Sequence, residues 1–565
     1  MTQSNILMNT ENLDASDPYV REAQTFPTLK DDQIGRLKKY GTVETFKKND
    51  FLFQRGDRTV DFFVVISGNI EIFEYTNDGH KVFTIHRESQ FTGEMDLLND
   101  RKILVGGRMG EDGEVLRINR ESFRRMLVGE SDLSELIIRA FILRRVGLIS
   151  HKQGGVTLIA HHENSDSVRI QRFLKSNGYP IDVIYCDDEG CDEILEKYQL
   201  DTSDLPSVII HLGDNILKKP TNFQLAEALG LTEDPNLAEP YDVMIVGGGP
   251  TGLSAAVYAA SEGLRTVLIE KEAPGGQAGT SSKIENYLGF PTGLSGQALA
   301  GRAQVQAMKF GAKIILPHQV NEIQKLEDEK LFSLELCNGT SIRTKSVIVT
   351  TGATYRRLNV KENTKFDNAG IYYAATAMEA DICRGKEVII VGGGNSAGQA
   401  AVFLAGAAKH VHMLVRRGEL ASSMSDYLIG RIESSPRITL HYHTEITELH
   451  GDEHLEKVTI KNRESCEENT MDVRHVFLMI GAVPNTEWLK ECISLNDYGF
   501  ALTGADAAND KGWPLERPPM MMETNVPGIF AAGDVRAGSI KRVASGVGEG
   551  SITVTQVHQY LAEIA

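Results

Sequence analysis

Tyr241-Asp-Val-Met-Ile-Val-Gly-Gly-Gly-Pro-Thr-Gly252 is the stretch from which the rest of the 565-residue chain is read. Val243 to Val246 is an apolar run of the kind that forms a buried parallel strand. Glycines stop it, and Leu253-Ser-Ala-Ala-Val-Tyr-Ala-Ala then opens an alanine-rich helix. Strand, glycine turn and helix in that order give the G-x-G-x-x-G at Gly247, Gly249 and Gly252 its meaning. Gly247 makes the tight turn and Gly249 lets backbone N–H groups approach a pyrophosphate. Gly252 lets the helix pack close to the strand, and Pro250 lies inside the same turn. The helix N-terminus turns its partial positive charge toward that anion. A second strand, Thr266 to Ile269, ends in Glu270. An acid about 20 residues after the motif binds ribose hydroxyls. The alternative is an ordinary glycine-rich turn, and the four features together favour a dinucleotide site.

A second such unit lies further on, Lys386-Glu-Val-Ile-Ile-Val-Gly-Gly-Gly-Asn-Ser-Ala397. It carries the G-x-G-x-x-A variant at Gly392, Gly394 and Ala397, with Asn395 and Ser396 at the helix start. Its second strand, His410 to Leu414, leads into Val415-Arg416-Arg417 instead of an acid. Two fixed guanidiniums where the ribose acid would sit favour a 2′-phosphate, hence NADPH over NADH. Solvated arginines at a strand end remain the plain alternative.

Bulk properties narrow the classes. At about 150 residues per domain the length suggests ~4 units. The net charge of −18 argues against a nucleic-acid or anionic-membrane partner, which would need clustered Lys and Arg. No run approaches the ~18 apolar residues of a membrane span. The first 25 residues are polar and acidic, unlike a signal peptide, so a cytoplasmic location is expected. Six cysteines (186, 191, 337, 383, 466 and 492) include no C-x-x-C pair and read as free thiols. Cys186 and Cys191 fall in a strand-end loop and are expected to be structural or incidental thiols, not a redox pair. No metal site is expected.

Ahead of the first glycine motif, residues 1–23 read as a flexible arm. Phe51-Leu-Phe, Phe62-Phe-Val-Val-Ile, Ile70-Glu-Ile-Phe and Val82-Phe-Thr-Ile then alternate with glycine turns, as in a small β-roll, with helices at Arg120–Leu127 and Leu133–Leu148. The runs FKKNDFLFQRGDRTVDFFVVISGNIEIF and FTGEMDLLNDRKILVGGRM resemble the cyclic-nucleotide-binding domain family. The resemblance implies a phosphate cassette opening at Gly93 and Glu94, the Glu taking a ribose hydroxyl. Aligned on Asn99, the family's phosphate-binding Arg falls on Ile103, with Arg101 and Lys102 out of register. The expectation is the fold with a degenerate cassette, since a phosphate without its charge-assisted partner loses affinity.

Residues 156 to 232 alternate strand and helix three times, and Leu205-Pro206 precedes the third strand. This order resembles the thioredoxin/glutaredoxin fold, in which that proline is cis beside the active cysteines. The redox pair would open the first helix near Asn164-Ser-Asp-Ser167, which has no cysteine. A dithiol needs thiolates, so no disulfide exchange is expected there.

Pro274 to Gly296, PGGQAGTSSKIENYLGFPTGLSG, with the first glycine motif, resembles the thioredoxin reductase branch of the FAD-dependent pyridine-nucleotide oxidoreductases. The resemblance extends through Val347–Ala353, Ile480–Thr486 and Gly528–Val535. It implies that Gly276, Gln277, Asn286, Gly352, Gly533 and Asp534 hold FAD, with Val320 at the adenine and Arg542 and Val543 near the flavin. That branch carries Cys-Ala-Thr-Cys before the second glycine motif. Here the segment is Tyr373-Ala-Ala-Thr-Ala377, so Ala374 and Ala377 replace both cysteines. A third arginine of the branch falls on Ala421. Cys383, the nearest thiol, reads as a core residue.

The expected architecture is multidomain. A cyclic-nucleotide-binding-like β-roll with helices spans 24–150, and a thioredoxin-like α/β domain without C-x-x-C spans 155–232. Two nested Rossmann-type domains follow, FAD at 240–353 and 480–565, NAD(P)H at 354–479. The expected function is an NADPH oxidoreductase passing electrons through FAD to an external acceptor, a small redox protein or small molecule. A thioredoxin-disulfide reductase proper and a cyclic-nucleotide- or redox-responsive regulator are the alternatives. The resemblance implies a homodimer.

Overall fold

The computed structural model describes the chain apart from residues 1–3, 9–12, 15–16, 77–78, 100, 163, 188–190, 211–214, 234, 236, 282–283, 285, 327–328, 362–364, 368, 374, 376, 421–423 and 510–512. Ala374 and Ala421, singled out above, therefore lie outside the described residues.

Two short helices, α1 (Glu22–Thr25) and α2 (Asp31–Leu37), precede an antiparallel β-roll. Its strands are β1 (Thr42–Phe46), β2 (Phe51–Phe53), β3 (Phe62–Ser67), β4 (Ile70–Thr76), β5 (Gly79–His86), β6 (Gly106–Met109) and β7 (Gly113–Ile118). They form two sheets, ordered β1-β7-β3 and β2-β6-β4-β5. Gly106 and Gly107 are required where the sheet meets aromatic rings, because an added Cβ would lie 2.2 Å from Phe73 and 2.4 Å from Phe53. Helices α3 (Arg120–Gly129) and α4 (Ser131–Ser150) close the roll. Phe123 stacks on Phe62 at 4.7 Å and Phe141 packs beside both. Burying each such ring is worth about 1.5–3 kcal/mol.

The next unit contains β8 (Val156–Ala160), α5 (Ser165–Ser176), β9 (Ile181–Tyr185), α6 (Cys191–Tyr198), β10 (Ser207–Ile210), β11 (Asn215–Lys218) and α7 (Asn222–Leu229). The sheet order is β11-β10-β8-β9, with β8 and β9 parallel and the other pairs antiparallel. Leu205–Pro206 is cis. Helix α5 starts earlier than its apolar pattern suggests because Asn164 caps it, accepting a 3.0 Å hydrogen bond from Ser167 N–H. Cys186 and Cys191 are not the expected free thiols: they form a disulfide. The end of β9 and the start of α6 bring their Cα atoms to 4.9 Å, within bridging range.

The remainder is built on two sheets, the first mixed and the second wholly parallel. The first gathers β12 (Tyr241–Val246), α8 (Pro250–Ser261), β13 (Thr266–Ile269), α9 (Gly276–Gly279), α10 (Gly296–Lys309), β14 (Lys313–Ile315), β15 (Val320–Leu326), β16 (Leu331–Leu336) and β17 (Ser341–Val349). Its order is β14-β13-β12-β17-β16-β15, with β15, β16 and β17 antiparallel and its other pairs parallel. The antiparallel pair β18 (Ala353–Tyr355) and β27 (Ala482–Pro484) carries the chain out to the second sheet and back. Between them lie β19 (Ile371–Tyr372), α11 (Ala377–Ile382), β20 (Glu387–Val391), α12 (Asn395–Leu404), β21 (His410–Val415), α13 (Asp426–Glu433) and β22 (Ile438–Tyr442). A hairpin layer, β23 (Thr444–Gly451), β24 (Leu455–Asn462) and β25 (Glu468–Met471), precedes β26 (His475–Leu478). The second sheet is ordered β19-β26-β20-β21-β22, every pair parallel. After α14 (Gly504–Ala508), β28 (Ile529–Ala531) joins β17 in parallel, and the last helix, α15 (Val543–Ile564), packs on α8.

These units share packing. One continuous apolar cluster runs from Phe62 in the roll through Leu158 and Phe173 to Leu253, Met308 and Phe530. Helix α5 is the junction. Asn177, at its C-terminal end, donates from Nδ2 to Glu272 O at 3.1 Å and accepts from Arg101 Nη1 at 3.2 Å. Lys175 O accepts from Gln297 Nε2 at 2.6 Å, and Arg172 pairs with fully buried Glu379 of α11 at 2.6 Å. No described helix is long and apolar enough to cross a membrane.

Candidate functional site

The first site forms at the carboxyl ends of β12 and β17. Gly247 has φ +109°, and a Cβ there would lie 2.4 Å from Thr350 O. The Thr350 hydroxyl donates to Gly247 O and Val246 O at 2.8 and 3.0 Å, fixing the turn. At Gly252 a Cβ would come within 1.9 Å of Gly247 O, so α8 sits directly against the turn. Gly249 caps α8 with Pro250 in the first turn, and no atom lies within 4 Å of where its Cβ would be. The turn is thus closed on its protein side and open at Gly249. Glu270 is buried, accepting from Gly248 N–H at 2.6 Å and Glu272 N–H at 2.8 Å. Burial raises its pKa, and the two backbone donors oppose the rise.

Gly276 and Gly533 reach the same rim. An added Cβ at Gly276 would lie 3.1 Å from Gly249 Cα, and one at Gly533 2.4 Å from Thr251 Oγ1. Gly533 N–H donates to Glu549 Oε2 at 2.6 Å, and Glu549 also pairs with Arg536 at 2.7 Å. Asp534 beside it is half-buried, and burial raises its pKa with Lys541 opposing. An open glycine cradle, a buried acid and a half-buried carboxylate suit a bound dinucleotide. Gln277 donates to Ala353 O, and Gly352 lies in the same crossover with φ +64°. Val320 is buried at the head of β15, Asn286 and Arg542 are exposed, and Val543 begins α15. Thr350, Thr251 and Glu549 escaped the sequence reading; Thr350 lies two places before Gly352 in the quoted Val347–Ala353 run.

The second glycine turn repeats the device. Gly392 has φ +141°, and a Cβ there would lie 2.4 Å from Met479 O. Gly394 caps α12, Ala397 is buried beneath it, and Asn395 accepts from Ser425 N–H at 2.8 Å. Ser396 is exposed at the helix start, and Arg416 and Arg417 follow β21 into solvent.

Ala377 opens α11 and is exposed. Cys383, at the other end of that helix, is fully buried, and burial pushes its thiol up to about 11. Such a thiol is neither accessible nor ionised.

In the roll, Gly93 has φ +103°, and Glu94 accepts from Asp96 N–H at 3.1 Å. Arg145 of α4 pairs with Glu94 at 2.5 Å and with Asp96 at 2.6 Å. Burial drives Glu94 up to about 8, with Arg145 opposing; for Asp96 the same burial is outweighed by Arg145, the hydrogen bond with Glu94 and Arg101 together, which lower its pKa. Ile103 is buried, and Arg145 Nη1 reaches Gly178 O at 3.4 Å, just past α5. Sequence spacing could not find Arg145, which stands 51 positions after Glu94.

Residues 241–550 match the model for pyridine nucleotide-disulphide oxidoreductases. The chain belongs to that family. Residues 43–129 match the cyclic nucleotide-binding domain. This family member is similar to the NADH dehydrogenase of Bacillus subtilis (strain 168), 33% identical over 323 residues, 57% of this chain and 59% of that protein. The chain thus spans less than two thirds of that relative. It is also 33% identical over 326 residues to the thioredoxin reductase of Ureaplasma parvum serovar 3, covering 57% of this chain and 97% of that one. Among solved structures, T. acidophilum thioredoxin reductase is 30% identical, with TM-score 0.51 over 58% of this chain and 99% of that one. The family is one of oxidoreductases whose cofactors are FAD and NAD(P)H.

Proposed function

We propose that this oxidoreductase takes electrons from NADPH through FAD and delivers them to an acceptor outside the flavin half of the chain. One observation carries the reading: the thiol nearest the expected dithiol position, Cys383, is fully buried with its pKa pushed up to about 11, while Ala374 and Ala377 supply no sulfur. In this reading residues 240–353 and 480–565 hold FAD, which when bound stores two electrons between a hydride donor and an acceptor. The turn built by Gly247 and Gly252 receives its pyrophosphate at the open Gly249, with Glu270 taking the ribose hydroxyls and Asp534 the ribityl chain. Residues 354–479 hold NADPH at Gly392 and Gly394, with Arg416 and Arg417 as the fixed charges for its 2′-phosphate. Residues 155–232 form a thioredoxin-like domain. Positioning, not proton relay, is what these residues contribute.

The test is anaerobic mixing of the full chain, loaded with FAD, with NADPH while following flavin absorbance. Bleaching at a rate competent for turnover supports the reading; a flavin that stays oxidised sinks it. A second reading, a ligand-responsive regulator, draws on the chain of contacts from Glu94 through Arg145 to Gly178, and from Asn177 to Glu272. Calorimetry with cyclic AMP and cyclic GMP tests it, and heat from neither removes it.

A further inference from the structure

The disulfide between Cys186 and Cys191 lies outside the flavin half and plays no part in the proposed reaction. Cys186 is partly exposed just beyond β9, and its N–H donates to Ala160 O at 2.9 Å. Cys191 is buried as the first residue of α6, against Ile159, Leu195, Leu205 and Ile209. Leu205 begins the cis Leu205–Pro206 bond, so the disulfide and that bond share one apolar cluster.

The link closes only a short loop. It spans only 5 positions, and short loops gain least from cross-linking. Asp187 and β9, on the Cys186 side, are already pinned without it. Asp187 accepts from His162 N–H at 2.7 Å and meets His161 Nδ1 at 2.8 Å, while β9 pairs with β8 along its whole length. The two sulfurs also differ in access, as an exchanging pair requires. Around them Asp187, Asp192 and Glu193 are exposed and acidic.

We infer that Cys186–Cys191 is a reversible redox centre that exchanges with a protein dithiol whose cysteines are bordered by Lys and Arg. A thiolate of the partner attacks Sγ of Cys186 and the Sγ–Sγ bond breaks. Cys191 departs as thiolate at the positive end of α6 and takes a proton from water. The partner's second thiol then displaces Cys186 from the mixed disulfide. Two electrons and two protons have moved, and the partner leaves as its disulfide. The reverse sequence reduces an external disulfide. This inference goes beyond the flavin reading and does not depend on it, because dithiothreitol can supply the electrons.

The experiment equilibrates the native full chain in mixtures of reduced and oxidised dithiothreitol, then alkylates it and quantifies the peptide carrying both cysteines by mass spectrometry. The expected result is reversible conversion between the disulfide and two alkylated thiols. In Cys191→Ser, Cys186 should be modified by cationic cystamine about 10-fold faster than by anionic glutathione disulfide, the gap narrowing in high salt. The Cys186→Ser/Cys191→Ser chain should keep its melting temperature within about 5 °C. A pair that stays oxidised in excess reduced dithiothreitol, or is reduced in every mixture, overturns the inference. Equal rates with the two probes overturn the basic partner, and a large fall in melting temperature assigns the bond to the fold.

Discussion

Gly252 shows how one missing Cβ sets a site. The 1.9 Å separation that an added Cβ would have from Gly247 O leaves no rotamer that relieves it, because both atoms belong to backbone-fixed positions. Gly252→Ala should push α8 off the turn, and purified protein should retain less than about a tenth of the FAD of the parent, read from absorbance per chain. Arg416 and Arg417 invite the complementary test. Charge-assisted hydrogen bonds are worth about 1.5–3 kcal/mol, so Arg416→Ala/Arg417→Ala should lower kcat/KM for NADPH by roughly 10- to 150-fold and leave NADH nearly unchanged. Equal loss with both would make the arginines ordinary surface groups. Glu94 gives a pH signature. Its folded pKa of about 8 exceeds the ordinary value of 4.5, so the folded chain binds more protons between them. That stabilisation is complete below the ordinary value and is lost as pH rises through 8. Melting temperature should therefore fall between about pH 5 and 8.5, and Glu94→Gln should flatten that slope. The positions of the glycines, Glu270 and the arginines against their strands could be read because spacing along each βα unit fixes them. Arg145 was not, since helix α4 delivers it from far along the chain and only packing joins it to Glu94.

Among the elements, helix α5 has the widest reach. Its apolar face is buried by Val168, Ile170, Phe173 and Leu174, as the amphipathic pattern implies. Its polar positions, which sequence would assign to solvent, instead meet other units: Arg172 holds Glu379, and Gln297 bonds Lys175 O. Glu379 is fully buried, and weakening its partner leaves a charge where water cannot reach. Arg172 itself is partly exposed, so the discounted cost of Arg172→Ala is about 1–3 kcal/mol, seen as earlier thermal unfolding. The variant should also raise hydrogen exchange in α11; unchanged exchange there would show that α5 does not restrain the second glycine unit. Strand β11 and the Cys186–Cys191 bond were hidden for a related reason. A four-residue edge strand has too little pattern to announce itself, and no rule of cysteine spacing predicts a bond made by the return of β9 into α6.

For the whole molecule, the two glycine-unit sheets and their nesting were readable because two glycine units and the runs between them repeat a known order of strand and helix. What could not be read was how closely the units pack, because contacts such as Asn177 to Glu272 join positions 95 apart. That packing bears on where electrons can go. Alanine stands at 374 and again at 377, where α11 begins, and α11 itself is held by Arg172. On the proposed reading, the parent chain should consume NADPH with a small artificial acceptor yet show no turnover on thioredoxin disulfide. Ala374→Cys/Ala377→Cys restores the sulfur but not the freedom of α11, so thioredoxin turnover should remain at least ~10-fold below that of the triple variant that adds Arg172→Ala. The measurement is NADPH oxidation at 340 nm in anaerobic solution with each chain matched for FAD content. Robust turnover by the parent would mean that another cysteine pair in the chain serves thioredoxin, and the Cys186→Ser/Cys191→Ser chain would then show whether that pair is the one beside α6.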